Sequence, residues 1–283
     1  TSARRDTASL RTLEVRVTRA PGPSHRIPAT VAVVDSAGFR GARLQNGIDE
    51  ALGRIPGVYV ANRFNPSLDQ RLAVRGAGAR ANFGVRGVKI LLDGIPQTLP
   101  DGQSQLTNID LGLIDRAEVL LGASSALYGN AGGGVIAFET ALPAGPARAR
   151  VRILGGSFGT SRVSAQMSGA RNWWSGNAAV SRYQSSGFRQ HSATESTQLS
   201  LSLNRVLGGS WLVKGRYYLT DAPRAENPGA LTMAEYLARP DSAAANNIRR
   251  GADKAVRQHQ LGFTIARDRG NGSGFEATVF GLS

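Results

Sequence analysis

Cysteine is absent from all 283 residues, which excludes disulfide bridges, thiolate zinc sites and thiol catalysis. Histidine occurs only as His25, His191 and His259, with no spacing that would ligate a metal. No run of 18 apolar residues exists, so no segment crosses a membrane as a helix. A membrane barrel is not excluded, because its strands need only alternate positions to be apolar. Acidic residues are scarce, 20 against 34 basic, leaving a net charge of +14. That excess suggests nucleic-acid binding, yet no four basic residues are consecutive and they are spread thinly along the chain, so a nucleic-acid partner is rejected. The chain starts on Thr1 with no apolar leader before it, and the expectation is that a signal peptide was removed or the chain was cut.

Enough is present for a core, with 41% hydrophobic residues. The texture changes near Ala141–Pro146. Residues 1–147 carry 16 basic and 12 acidic residues, net +4, whereas 148–283 carry 18 and 8, net +10. The second part alternates with period two, and strands are expected at about 148–156, 160–170, 175–185, 195–207, 210–220, 254–267 and 273–283. Leu199, Leu201 and Leu203 share one face of such a strand, and Gln198, Ser200, Ser202 and Asn204 share the other. Ala149, Val151 and Ile153 likewise oppose Arg148, Arg150 and Arg152, whose polar face would look into a lumen or meet lipid phosphates.

A soluble sandwich would alternate in the same way. Two features favour a membrane barrel. These strands match the roughly 9–11 residues that cross a bilayer at a tilt. Most connections also follow a short–long parity, 171–176, 207–210 and 268–273 being short and 186–194 and 221–253 longer, with the short 156–160 as the exception, as periplasmic turns and outer loops do. Trp173, Trp174, Trp211, Tyr217 and Tyr218 fall near strand ends, where an aromatic girdle would sit. Seven strands cannot close a single-chain barrel, and an open sheet in lipid leaves edge groups unpaired. The expectation is therefore the N-terminal piece of a longer protein.

The first part reads as a small α+β domain. Strands are expected at 27–34, 58–60, 72–74 and 88–92, and a helix at 43–54 ending at Pro56-Gly57. Several of its motifs occur in a telling order: Leu52-Gly-Arg-Ile-Pro-Gly-Val58, Val74-Arg-Gly76, Leu92-Asp-Gly-Ile-Pro96, Ile114-Asp-Arg-Ala-Glu-Val-Leu120, and Ala126-Leu-Tyr-Gly129 with Gly132–Ile136. Together they resemble the plug domain of TonB-dependent outer-membrane receptors. The chain departs from that pattern at Gly122-Ala123, where the family usually has Gly-Pro, and at Ala117 within Arg116–Glu118. Phe83–Gly87 and Pro100–Ser104 are similar to a subgroup that includes receptors for ferric citrate and pyrroloquinoline quinone.

The resemblance implies an N-terminal segment (1–26), a plug (27–147) and the first strands of an antiparallel transmembrane β-barrel (148–283), about seven of an expected 22. It implies an outer-membrane transporter, neither an enzyme nor cofactor-dependent, that borrows energy from TonB and its inner-membrane complex. Glu14, Val15, Arg16, Val17 and Thr18 match the segment that TonB grips by strand addition. The expected ligand is a scarce small molecule, with a ferric chelate or siderophore first and a quinone cofactor or vitamin next. Arg80, Asn82, Arg86 and Gln103, in loops rich in turns, are the candidates to hold it, since Arg suits bidentate carboxylate contacts. The loop at 221–253 is a candidate lid. Arg75 and Glu118 are expected to form or join an ion pair locking plug to barrel. Outer-membrane lipid and lipopolysaccharide complete the partners.

Two rivals were weighed. Gly76-Ala-Gly-Ala-Arg-Ala81 fits a dinucleotide fingerprint, with Asp93 downstream; Gly84 and Gly87 interrupt the helix it would need, and no βαβ repeat follows. A signalling receptor of the same fold usually has a further periplasmic domain ahead of the TonB segment, and about 12 residues precede it here.

Overall fold

The computed structural model describes residues 14–18, 22–23, 28–41, 43–61, 64–81, 84–99, 101–104, 106–208, 210–268 and 274–283. The first half contains, in chain order, β1 (Glu14–Val15), β2 (Gly22–Pro23), β3 (Thr30–Asp35), α1 (Ser36–Arg40), α2 (Asp49–Leu52), β4 (Val58–Ala61), β5 (Arg71–Val74), β6 (Val88–Leu92), β7 (Ile95–Pro96), β8 (Ile114–Leu121), α3 (Ser125–Tyr128) and β9 (Gly134–Thr140). The second half adds β10 (Arg148–Gly155), β11 (Ser161–Arg171), β12 (Trp174–Ser185), β13 (Thr194–Leu207), β14 (Trp211–Ala225), α4 (Met233–Ala238), α5 (Ala245–Arg249), β15 (Val256–Asp268) and β16 (Gly274–Leu282).

In the first half, a five-stranded sheet has the order β3-β8-β9-β6-β7, with β6 and β9 parallel. One face carries Ile90, Leu92, Ala117, Val119, Ile136 and Phe138 and packs with Phe39, Ile48 and Leu52 into the main core. The other carries Leu91, Leu120 and Val135, and is covered by Val15 and Val17. Asp93-Gly94 joins β6 to β7 with φ of 49° and 82°, the Asp-Gly geometry that tight hairpins require. Gly134 has φ 143°, and a Cβ there would lie 2.3 Å from the Leu120 carbonyl oxygen; only glycine lets β8 and β9 close.

The expected helix over 43–54 shortens to the four residues of α2. Glu50 accounts for this: its carboxylate accepts from the N–H groups of Gln45, Asn46 and Gly47 at 3.1, 2.8 and 3.3 Å, which holds those residues as a loop. Conversely α1 was not foreseen. Asp35 starts it as N-cap, accepting from Gly38 N–H at 3.0 Å.

In the second half, all seven expected strands are present in one antiparallel sheet ordered β10 to β16, with β14 running on to Ala225. Among the described residues β10 and β16 do not pair, so the sheet is open. Its burial is inverted relative to a soluble protein. Arg162, Asn177, Ser181, Ser200, Asn204, Arg216, Thr220 and Gln260 are buried against the first half. Val151, Met167, Leu203, Phe263 and Val279 are exposed by 68, 62, 53, 57 and 74%. Leu201 and Leu203 thus lie outside any closed core, against the sandwich reading. The β11–β12 and β13–β14 hairpins turn back at one end; the loops at 186–193 and 226–255, the latter bearing α4 and α5, lie at the other.

Candidate functional site

The N-terminal segment, a two-residue strand followed by a turn at Val17-Thr18, is docked. Val15 and Val17 are buried in a cluster with Leu91, Leu120, Ala131 and Val135. One oxygen of Glu118 accepts from the N–H groups of Arg16 and Val17 at 2.8 and 2.7 Å, and Tyr128 Oη donates to the Val17 carbonyl at 2.6 Å. Glu14 and Val15, the two residues of β1, pair with Pro23 and Gly22. Thr18 is half-buried. Alternation puts Glu118 on the same face of β8 as Leu120, next to the hydrophobic seat of Val15 and Val17. Burial pushes the nearby Glu139 carboxyl above the ordinary glutamate range, with Arg16 pulling it down and Glu118 pushing it up.

Arg75 and Glu118 do not make the expected lock to the seven-stranded sheet. Arg75 is exposed and donates to Thr30 Oγ1 at 3.1 Å. Glu118 does join an ion pair, but with Arg116 at 2.7 Å within its own strand, because its face of the sheet is the one the N-terminal segment covers. The locks are Asp93 and Asp110, which sequence reasoning missed. The Asp93 carboxylate accepts from Thr140 N–H at 2.8 Å, Arg216 Nε at 3.2 Å and Tyr218 Oη at 2.5 Å. Asp110 accepts from Arg162 Nη2 at 2.5 Å and Ser181 Oγ at 2.6 Å. All four charged side chains are at most 9% exposed. Signals existed: Asp93 lies inside the Leu92–Pro96 motif, and Arg162 and Arg216 occupy the wet positions of alternating strands.

At the long-loop end, smaller ties fasten the two halves. Lys254 Nζ reaches Asp69 at 2.9 Å, and Asn65 Nδ2 donates to Asn227 at 3.3 Å. Arg189 donates to the carbonyls of Ser242, Gly229 and Pro228 at 2.9, 2.7 and 3.3 Å, folding the 226–255 loop onto the 186–193 loop. Glu226 accepts from Ala193 N–H at 2.9 Å and from Arg224. Burial would raise the Glu226 carboxyl, but these donors outweigh it and hold it below the ordinary range.

Of the ligand candidates, Arg80 and Arg86 are exposed and Gln103 is half-buried. A bridge between Val85 and Ser104 sets Arg86 and Gln103 on neighbouring segments, and Gly78, two residues before Arg80, backs onto the Arg86 carbonyl. Neither arginine pairs with a carboxylate among the described residues. Asn82 lies outside the described residues. Between the two halves, Gln45, Pro66, Leu106, Arg162, Tyr183 and Lys254 line a cavity of 120 Å³, well short of the roughly 300–1,000 Å³ of small-molecule pockets. Water fits there; a chelate does not while the halves stay docked.

Residues 23–135 match the family model described as the TonB-dependent receptor plug domain. A hemin receptor of Yersinia enterocolitica is 33% identical over 132 residues, 46% of this chain and 18% of that protein. The ferripyoverdine receptor of the Pseudomonas aeruginosa outer membrane, solved with ferripyoverdine bound, superposes with TM-score 0.67 at 16% identity, over 94% of this chain and 36% of its own. The ferric citrate transporter in its unliganded form superposes with TM-score 0.68 at 20% identity, over 90% and 39%. The chain therefore spans under two-fifths of the length of each of these proteins.

Proposed function

We propose, for a chain that carries the plug of a TonB-dependent receptor and the fold of that family's barrels, that it imports an anionic iron chelate across the outer membrane on energy delivered by TonB. It is a transporter and not an enzyme in this reading. Glu14–Thr18 is the segment that adds to a strand edge of TonB. Arg80, Arg86 and Gln103, with Asn82, hold the ligand: two arginines that pair with no carboxylate among the described residues suit the carboxylates of citrate-type or haem-type chelates. The hemin receptor and the ferric citrate transporter support that class of cargo.

The observation that carries the reading is the docking of the N-terminal segment. Its main chain is held by two side chains, Glu118 and Tyr128, so a two-residue strand and the turn that follows it are stored against the plug sheet with their backbone groups occupied. Strand addition by TonB requires those same N–H and C=O groups. Pulling the segment from Glu118 therefore transmits force directly to β8, an interior strand of the plug sheet.

The test uses the full-length receptor in cells lacking their own iron-chelate receptors. Val17→Pro removes a main-chain donor and is expected to abolish uptake of iron-labelled ferric citrate or hemin while leaving surface binding intact. Uptake at the unmodified rate overturns the assignment. Glu118→Gln weakens the dock without altering the segment. It is expected to raise cross-linking between position 16 and TonB in ligand-free cells, and unchanged cross-linking contradicts the role given to Glu118.

A further inference from the structure

We propose that the short-turn rim of the barrel sheet binds the phosphates of anionic phospholipids in the periplasmic leaflet of the outer membrane, through Arg171, Arg205 and Arg267 set against Trp174, Trp211 and Phe275. These residues form two cross-strand rows. Arg171 pairs in register with Trp174 and Trp174 with Arg205; Trp211 pairs with Arg267 and Arg267 with Phe275. All six have the parity of the exposed aliphatic face, the same as Met167, Ala178, Leu203, Phe263 and Val279. They therefore point away from the plug, at the level where hydrocarbon ends.

The guanidinium carbon of Arg205 lies 4.7 Å from the centre of the Trp174 ring, and that of Arg267 lies 5.1 Å from Trp211. Trp211 is braced edge-on by Phe275 at 6.4 Å. A guanidinium stacked on an indole keeps its charge and its in-plane N–H donors, so the free edge of the fork fits a phosphodiester in bidentate fashion. Among the described residues, none of these three arginines pairs with a carboxylate.

The opposite end of the same face is built differently. There Arg182 pairs with Glu195 at 3.1 Å, and Arg257 stands in register with Asp221. At the long-loop end these outward arginines face an acidic residue on the neighbouring strand; at the short-turn end, among the described residues, they do not. Short turns face the periplasm in such barrels, which assigns the uncompensated charge to the phospholipid leaflet and not to lipopolysaccharide.

This inference rests on the outer-membrane reading, and its test separates the two. Full-length receptor is first scored for recovery in the outer-membrane fraction; failure there defeats the proposed function itself. Purified receptor is then mixed with phosphatidylglycerol or phosphatidylcholine in detergent, and retained lipid is counted by native mass spectrometry. The expected result is preferential retention of phosphatidylglycerol, reduced about tenfold in the Arg205→Gln/Arg267→Gln variant, the loss equivalent to about 1.4 kcal/mol. The Arg205→Lys/Arg267→Lys variant keeps the charge and is expected to fall in between, and Arg182→Gln at the other end to retain lipid as the unmodified receptor does. Equal retention of the two lipids overturns the proposal. So does undiminished retention by the double Gln variant, an equal loss in Arg182→Gln, or displacement of the phosphatidylglycerol by added lipopolysaccharide.

Discussion

The plug sheet and the barrel sheet use the same alternation of apolar and polar residues and bury opposite sides of it. In β6, β8 and β9 both faces carry aliphatic side chains and both are covered. In β11 to β15 the aliphatic side is exposed, and the serine, asparagine, glutamine and arginine side is buried or half-buried. Water drives the first arrangement, since removing a leucine side chain from it is worth about 1.5–3 kcal/mol. The second arrangement gains nothing in water. It is stable where the exposed face meets hydrocarbon and the polar face finds hydrogen-bond partners, which Asp93, Asp110 and the Thr107 carbonyl supply.

The contrast makes the buried ion pairs the most sensitive points. Arg216→Ala leaves the Asp93 carboxylate buried beside Tyr218 and Thr140 and is expected to cost roughly 3–5 kcal/mol. The cost is read from the denaturant midpoint of plug unfolding in the full-length receptor. Next in size is Leu201→Arg, near the middle of β13 on the exposed face. It is expected to cost about 2–4 kcal/mol for folding into a bilayer, whereas a surface residue of a soluble sheet would change stability by about 0.5 kcal/mol or less. Folding titrations into liposomes distinguish the two.

A smaller effect concerns the long loops at 186–193 and 226–255. Glu226 is held below its ordinary range, so its contribution is fully present above the unfolded glutamate value and is lost as pH falls through the depressed folded value. The tie between Glu226 and Ala193 is therefore expected to survive at pH 5 and to loosen only under stronger acid. Hydrogen exchange at Ala193 N–H, followed as a function of pH, checks this. Loosening near neutrality would contradict the role given to Glu226.

Much of the fold was legible because period-two alternation is local. Leu199, Leu201 and Leu203 declared a strand and its two faces without reference to any neighbour. The turn signals Leu207-Gly-Gly-Ser210 and Asn172-Trp173 divided the strands correctly. What was not legible depended on contacts distant in sequence. Leu44, Ile48, Ala51 and Leu52 have helical spacing, but the carboxylate of Glu50 claims the backbone of 45–47 and cuts the helix short. Arg75 and Glu118 carry the charges expected of a lock. The actual partners, Arg216 and Arg162, sit 123 and 52 residues from their aspartates. The burial of Val15 and Val17 was equally hidden, because it is set by β8 and α3, more than 100 residues downstream.

The central claim is that Leu203 faces lipid and Ser202 faces the plug. These 283 residues contain no cysteine, so a single label introduced here has no competing site within this part of the receptor. With Leu203→Cys and Ser202→Cys labelled in turn in the full-length receptor in liposomes, collisions with oxygen and with a water-soluble nickel chelate give the answer. The account predicts high oxygen and low nickel accessibility at position 203, and low accessibility to both at position 202. A label at 203 that collides freely with nickel, or one shielded from both reagents, would contradict it.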